Sequence, residues 1–266
     1  MKKNISITYN KYESSVKAAQ KLRELLEKDG YTVNFQKNGK EDLIVAIGGD
    51  GAFIKALQEY NFPSTPVVGI NTGHLGFFQD ILPSQLEEFI ENYRLENFSI
   101  QQIVPIKAEI YTDEKIIQKK AANEFVIKSS VGKAIRLNVK INDAFIECFC
   151  GDGLIISSAV GSTAYNYSAG GAIIDPSVQA MQITPLAPIS TNAYRSFTSG
   201  IICSSKSTIS ISPNLEYFNL ATVIIDGETF NAGSISNISI TASKSPINLI
   251  RMKTYGFWSK VTDKFL

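Results

Sequence analysis

Gly48, Gly49, Asp50 and Gly51 set one carboxylate among three glycines, directly after the apolar run "DLIVAI". Residues without a Cβ let a chain turn tightly and bring its N–H groups against phosphate oxygens, and a helix starting behind them favours an anion. An acid in that setting repels the ligand the glycines suit, unless Asp50 holds a divalent cation that bridges phosphates or accepts a proton from a hydroxyl attacking one. The alternative is a plain strand-to-helix turn in which Asp50 caps the helix. The pattern is neither a Walker A loop, which needs Gly-Lys-Ser/Thr, nor the G-x-G-x-x-G dinucleotide fingerprint.

A second concentration of polar groups is "GSTAYNYSAGG", Gly161 to Gly171. Such a segment can pass close under a flat base, with Thr163 and Ser168 bonding its edge and Tyr165 adding aromatic area; a glycine-containing turn between elements is the alternative. His74, the only histidine, invites a role as a proton carrier, but it lies in "GHLGF", where a part in shaping the loop is favoured. Cys148, Cys150 and Cys203 are odd in number and lack spaced pairs, which argues against a disulfide framework and for a reducing compartment. Cys148 and Cys150, two apart, are expected as buried thiols on one face of a strand rather than as half a metal site.

The elements that must hold these groups alternate at first. "ISITY" reads as a strand, and "SSVKAAQKLRELLEKDG" as a helix with Val16, Ala19, Leu22 and Leu26 on one stripe, Ser14 or Ser15 as N-cap, and Gly30 past its end. "YTVNF" and "DLIVAI" follow as strands, the latter apolar enough for burial on both faces of a parallel sheet. Next come a helix after Gly51, the strand "PVVGIN" and a helix opening at Pro83. This βαβ series predicts a doubly wound α/β domain over residues 1–98. From residue 99 to 251 the pattern turns to alternation, as in "AIRLNVKI", "FIECFC" and "STISISP", with a hairpin at Asn142-Asp143, and predicts a β-rich second domain. The segment 252–266 is helix-compatible again and is expected to return to the first domain.

With 266 residues and 44% hydrophobic content the chain can bury real cores. Its 26 basic and 25 acidic residues leave a formal charge of +1, so no global field draws it to nucleic acid or an anionic membrane, and any phosphate chemistry must be local. The start alternates apolar and polar residues instead of opening a signal peptide, and no apolar run reaches the ~18 residues of a membrane helix. The expectation is a soluble, cytoplasmic protein.

The ordered set "GGDG", "GINTGHLGFF" (Gly69 to Phe78), Asn123-Glu124 and "GDGLIISSAVGSTAYNYSAGGAIIDP" (Gly151 to Pro176) resembles the NAD kinases over nearly the whole chain. "GGDG" is shared with diacylglycerol and sphingosine kinases and, in related form, with phosphofructokinase; the long fourth string is expected only of an NAD kinase. The resemblance implies an NAD kinase-like fold and transfer of the terminal phosphoryl of ATP to the adenosine ribose 2′-hydroxyl of NAD, with Mg²⁺ or another divalent cation. It implies Asp50 as general base or metal-positioning carboxylate, and Gly48, Gly49 and Gly51 as a phosphate cradle. Asn123 is implied at the adenine side of NAD, Glu124 at the ribose hydroxyls, and Asp152 near the nicotinamide end with Thr163, Ala164, Tyr165 and Ser168. Phe77 and Phe78 would line the dinucleotide, with Ala187 and Ile189 near it, in a homodimer or homotetramer. Asp226 in "IIDGE" matches an acidic position close to the reacting ribose. Plain readings stand beside these: a surface turn for Asn123-Glu124, core for Phe77 and Phe78, a hairpin turn for Asp226.

The sequence departs from the family pattern at three places, involving four residues. Ala52 replaces a threonine after "GGDG", Ala159 and Val160 replace a proline and a small hydroxyl residue, and Cys150 stands where many members carry an arginine near the second "DG". Arg195 is the candidate to supply that missing cation. The rival readings are a lipid kinase of the diacylglycerol type, for which no basic amphipathic stretch is evident, and a non-catalytic NAD-binding regulator.

Overall fold

The computed structural model describes residues 3–192, 195–214, 220–231 and 233–266. The chain divides into two compact units, Met1–Ile103 with Pro246–Leu266, and Val104–Ser245. In chain order the first unit contains β1 (Asn4–Tyr9), α1 (Glu13–Lys28), β2 (Thr32–Asn34), β3 (Leu43–Gly48), α2 (Asp50–Glu59), β4 (Val67–Asn71), α3 (Leu86–Arg94) and β5 (Ser99–Ile103). After the second unit it resumes with β18 (Ile247–Arg251) and α5 (Phe257–Phe265).

Its sheet runs β2-β1-β3-β4-β18-β5. β1 to β4 pair in parallel, and β18 is parallel to β4 and antiparallel to β5. β3 and β4 are buried along their whole length, as their unbroken apolar sequences require of strands covered on both faces. The boundaries therefore fall five residues later and six earlier than expected (103 against 98, 246 against 252). β5 and β18 join this sheet by pairing with each other and, for β18, with β4, and sequence separation hides those pairings.

Helix α1 buries Ser15, Ala18, Ala19, Leu22 and Leu26, whereas Val16 lies at the edge of that stripe. Neither Ser14 nor Ser15 caps it: the helix begins at Glu13, and both hydroxyls reach Thr72 instead, Ser14 Oγ to its carbonyl at 3.4 Å and Ser15 Oγ to its Oγ1 at 2.6 Å. The helix after β3 starts at Asp50 itself, with Gly49 at its N-cap. The third helix is preceded by a 3₁₀ turn over Pro83–Gln85.

The second unit is built from β6 (Ile106–Thr112), β7 (Ile116–Ala121), β8 (Glu124–Ser129), β9 (Ile135–Ile141), β10 (Ala144–Gly151), β11 (Gly153–Ser158), the single-turn α4 (Tyr165–Ser168), β12 (Ala180–Leu186), β13 (Ile201–Ser204), β14 (Ile209–Pro213), β15 (Ala221–Ile225), β16 (Glu228–Phe230) and β17 (Ile235–Ala242). Two antiparallel sheets form, β10-β9-β14-β17-β6-β7 and β13-β12-β11-β8-β15-β16. Their inward residues, among them Leu137, Phe149 and Ile238 from one sheet and Phe125, Leu154 and Ile183 from the other, share one core, the arrangement of a β-sandwich. The β9–β10 hairpin turns at Asn142, in the left-handed region at φ +53°.

The cysteines are free, but only Cys150 and Cys203 are buried; Cys148 is exposed. Phe149 takes the core side of β10, so both neighbours face outward. Cys150 is covered by a crossing segment, its carbonyl accepting from Ile189 N–H at 2.8 Å and Ser196 Oγ at 3.1 Å, and among the described residues nothing comparable covers Cys148.

Candidate active site

In the first unit, a cleft of ≈ 440 Å³ opens at the carboxyl ends of the parallel strands, the edge where open α/β sheets bind ligands. Gly49, Asp50 and Gly51 line it with Asn10, Tyr12, Ala52, the loop Thr72 to Gly76 and Lys264. Gly48 leaves β3 at φ +149°, and a Cβ there would stand 2.5 Å from Ala52 Cβ and 2.7 Å from Asn10 Nδ2, so the turn into α2 requires glycine.

Asp50 does not act as an N-cap. Its Oδ2 accepts the N–H of Phe77 at 3.1 Å and its Oδ1 the N–H of Phe78 at 3.1 Å, which fixes the plane of the carboxylate. Lys264 Nζ lies 3.6 Å from Oδ2. Gly76 makes this approach possible, because a Cβ there would meet Asp50 Oδ1 at 2.5 Å. The rings of Phe77 and Phe78, expected along a dinucleotide, are buried in the first unit: Phe78 stacks on Phe53 of α2 at 4.8 Å, and Phe77 packs between Phe257 and Phe265 of α5. Their contribution at Asp50 is made by the backbone. His74 is exposed on the rim of the cleft, and its carbonyl accepts Asn71 Nδ2 at 3.2 Å while Asn71 Oδ1 accepts Gly73 N–H at 2.9 Å.

The segment that carries those N–H donors is itself held by a buried ion cluster. Asp80 accepts Arg251 Nη1 at 2.9 Å on both oxygens and Lys260 Nζ at 2.5 Å. Arg251 also donates to the carbonyl of Phe77 at 2.9 Å, and Lys260 to those of Gly76 and Gln79 at 2.9 and 2.7 Å. β18 and α5 thus fasten residues 76–80 from behind. Burial pulls the Lys260 ammonium below its ordinary range, against the pull of Asp80.

In the second unit, Asn123 and Glu124, the latter the first residue of β8, sit in a clasp formed by three other segments. Asp226 turns the β15–β16 hairpin at φ +47° and aims its carboxylate at the backbone, Oδ1 accepting the N–H of Asn123 at 2.7 Å and of Glu124 at 3.2 Å, Oδ2 that of Ala122 at 2.8 Å. Ser158 N–H donates to the Asn123 carbonyl at 2.8 Å, and Ser158 Oγ to the Ala122 carbonyl at 2.6 Å. Gly161 packs flat on the same residue, where a Cβ would fall 2.1 Å from the Asn123 carbonyl oxygen. With the backbone saturated, Asn123 Oδ1 and Glu124 Oε2 are buried and have no hydrogen-bond partner among the described residues. Burial and the charge of Asp226 push the Glu124 carboxyl up to about 8. Buried polar atoms without a partner are rare in folded proteins, and two side by side point to a ligand that completes them.

Asp152, Ala187 and Ile189 lie together elsewhere in the unit. Asp152 is exposed at the corner between β10 and β11 and donates its N–H to Leu186, beside Ala187 at φ +42°. Thr163 is buried and bonds the Val160 carbonyl at 3.3 Å, whereas Tyr165 and Ser168 of α4 are exposed and Ala164 is half-buried. Asn166, between them, is fully buried and anchors α4, with Nδ2 on the carbonyls of Ser162 and Ala172 and Oδ1 accepting Thr184 Oγ1 at 2.6 Å. Arg195 is exposed.

Comparison with known proteins places both halves. Residues 30–96 match the ATP-NAD kinase N-terminal domain and residues 122–252 the ATP-NAD kinase C-terminal domain. An NAD kinase of Finegoldia magna is 37% identical over 99% of this chain and 98% of its own length. The chain belongs to the NAD kinase family. NAD kinase 1 of Oceanobacillus iheyensis is 32% identical over 99% of this chain and 98% of its own. Among solved structures, yeast NADH kinase complexed with NADH superposes with a TM-score of 0.86 at 19% identity, covering 99% of this chain and 87% of that one. An NAD kinase from Archaeoglobus fulgidus in complex with ATP gives 0.77 at 22%, covering 98% and 97%. These two resemblances show the fold.

Set against the NAD kinase pattern, one departure has a local compensation. The turn Val160–Thr163 closes without proline because Ser158 Oγ accepts the N–H of Gly161 at 3.0 Å. Ala52 brings no hydroxyl to the cleft, and its methyl occupies the space that a Cβ on residue 48 would need. Sequence reasoning missed Ser158, Gly76 and Gly161 as positioning groups although all three lie in the stretches that carry the family resemblance; it missed Asp80, Arg251, Lys260 and Lys264 because their partners lie up to 214 positions away (264 less 50).

Proposed function

We propose that this NAD kinase moves the terminal phosphoryl group of ATP onto the adenosine ribose 2′-hydroxyl of NAD through Asp50. The 2′-oxygen bonds to the γ-phosphorus, the bond from that phosphorus to the β–γ bridging oxygen breaks, ADP leaves with the electron pair, and the hydroxyl proton passes to Asp50. The observation that carries this reading is the pairing of whole-length kinship to NAD kinases with a carboxylate held by two N–H donors inside a glycine-lined cleft. Gly49 and Gly51 leave the start of α2 open for phosphate oxygens, where its dipole favours anions.

The acceptor is recognised in the second unit. Asn123 Oδ1 offers an acceptor to the amino group of adenine, and Glu124, protonated at neutral pH, offers an O–H to a ribose hydroxyl. Asp226 and Ser158 act as positioning residues, through the backbone they hold. Asp152, Thr163, Ala164, Tyr165 and Ser168 serve the remainder of the dinucleotide, and Arg195 its new phosphate. Ala187 and Ile189, both exposed, serve a neighbouring subunit of a homo-oligomer.

A divalent cation fits the donor site in one way. Asp50 is the only carboxylate lining the cleft, and no three His, Cys, Asp or Glu side chains gather elsewhere among the described residues. Mg²⁺ is commonly held by one or two carboxylates together with substrate phosphates rather than by a protein cage. Asp50 would be its protein ligand, and the ion would neutralise charge on the transferring group. We place the enzyme in a reducing cytoplasm, in keeping with three free cysteines and with no described helix long and apolar enough to cross a membrane.

The test is incubation of the purified chain with Mg²⁺, ATP and NAD, with product read by an NADP-specific dehydrogenase. NADP should accumulate, and a diacylglycerol should not be phosphorylated. Tight NAD binding without NADP from ATP or polyphosphate would mean that the scaffold senses the dinucleotide and does not phosphorylate it.

A further inference from the structure

A phosphate chain entering the cleft beside Asp50 meets a negative charge, and the glycine motif brings no lysine of its own. We propose that Lys264 is the cation of the phosphoryl-donor site, neutralising Asp50 in the free protein and turning to the donor's phosphates when they arrive. The proposal rests on the NAD kinase reading. Of the twelve residues that line the cleft, Lys264 is the only lysine or arginine. Its Nζ stands 3.6 Å from Asp50 Oδ2, inside ion-pair range but longer than a hydrogen bond, so the pair is close and not locked.

The contrast with Lys260, one turn earlier on the same helix, separates the two roles. Lys260 is committed, with donors to Gly76, Gln79 and Asp80 at 2.9, 2.7 and 2.5 Å and a side chain only 12% exposed. Lys264 has a side chain 32% exposed and lies over the ring of Phe77, 4.9 Å from its centroid. That ring is wedged against Phe257 and Phe265 of the same helix, so it gives the ammonium group a fixed seat at the cleft while leaving its donors open to an incoming oxygen. α5 therefore does two things at once: it pins the 76–80 segment that orients Asp50, and it carries a partly exposed counter-charge to the same carboxylate. A Lys ammonium suits this task because it is a compact charge on a flexible stem that can exchange one oxygen partner for another.

The experiment compares wild type, Lys264→Met and Lys264→Arg in steady-state NADP formation, and measures ADP binding calorimetrically at 50 and 200 mM salt. The expected result for Lys264→Met is an increase of about tenfold or more in KM for ATP and in the Kd of ADP, with KM for NAD unchanged within twofold. The salt dependence of ADP binding should flatten, since one phosphate contact is lost. Lys264→Arg should recover most of the donor affinity. Unchanged ADP affinity and salt dependence in Lys264→Met would overturn the proposal, as would equal losses in KM for NAD and KM for ATP in both variants, the mark of a structural role. If wild type binds ADP in a Lys264-dependent manner yet makes no NADP, the kinase reading fails and the lysine assignment stands. If wild type makes NADP and Lys264→Met is indistinguishable from it, the lysine assignment alone fails.

Discussion

Replacing Gly76 by alanine adds one methyl group beside the carboxylate on which the mechanism depends. The new Cβ would lie 2.5 Å from Asp50 Oδ1 and 2.5 Å from Gln79 Oε1, where ordinary contact begins at 3.4 Å, so relief takes 0.9 Å of movement (3.4 less 2.5). Gly76 is not among the residues with positive φ, so alanine brings steric overlap and no backbone strain. Gln79 is buried whereas the Asp50 side chain is 27% exposed, so the Asp50 carboxylate is the group with room to yield, turning off the N–H groups of Phe77 and Phe78. A displacement of about 1 Å in a reacting group costs ~10²-fold in rate, or about 2.7 kcal/mol of activation free energy. NADP formation and NAD binding measured side by side should show kcat reduced about 100-fold, with NAD affinity kept within twofold because its residues belong to the other unit. A folded Gly76→Ala enzyme with kcat within threefold of wild type would refute the claim that this glycine exists to seat Asp50.

Asp80→Ala strands Arg251 and Lys260, whose side chains are 5% and 12% exposed, and should cost ~3–5 kcal/mol in urea unfolding; a loss below 1 kcal/mol would mean that the cluster is not coupled to stability. Gly161→Ala drives a methyl into the Asn123 carbonyl and should weaken NAD binding by tenfold or more with a stability loss of ~1–3 kcal/mol, checked by calorimetry and melting; wild-type affinity would separate the Gly161 contact from recognition. Glu124, raised to about 8 by burial and by Asp226, keeps in the folded state a proton that the unfolded chain releases near 4.5. The stability of the ligand-free protein should therefore fall as pH rises between those values, and Glu124→Gln should flatten that slope, although Asp226, also raised by burial, keeps part of it. Parallel melting curves for wild type and Glu124→Gln from pH 5 to 8 would contradict the assignment.

Much of this was legible because local pattern and position agree. β3 announces itself by unbroken apolar sequence, and its end must be the carboxyl edge of a parallel sheet, so the place of "GGDG" followed from periodicity alone. The helix over Phe257–Phe265 was likewise readable from composition, whereas its place beside the first unit was an expectation drawn from the family resemblance. What was not legible depends on long-range contact. Nothing local distinguishes β18 from a sandwich strand, since its membership is decided by pairing with β4 and β5. Asp226 read as hairpin turn or ligand-side acid, and it proves to be a turn whose carboxylate clasps residues 103 positions upstream (226 less 123). Phe77 and Phe78 carried two readings, dinucleotide-lining by the family resemblance and ordinary core, and the large apolar rings take the interior, leaving their N–H groups to Asp50. Ser15 read as a cap and instead ties α1 to Thr72 of the cleft loop.

Asp50→Asn isolates the role of the carboxylate, because the change is isosteric and removes the negative charge set among phosphate-binding glycines. One side-chain oxygen remains to accept from Phe78, while the new amide faces the N–H of Phe77, so a melting temperature is measured alongside. NADP formation should fall by at least ~10³-fold, with NAD affinity and folding retained. Turnover within tenfold of wild type in the folded variant would contradict a catalytic role for Asp50 and move the chemistry to another group.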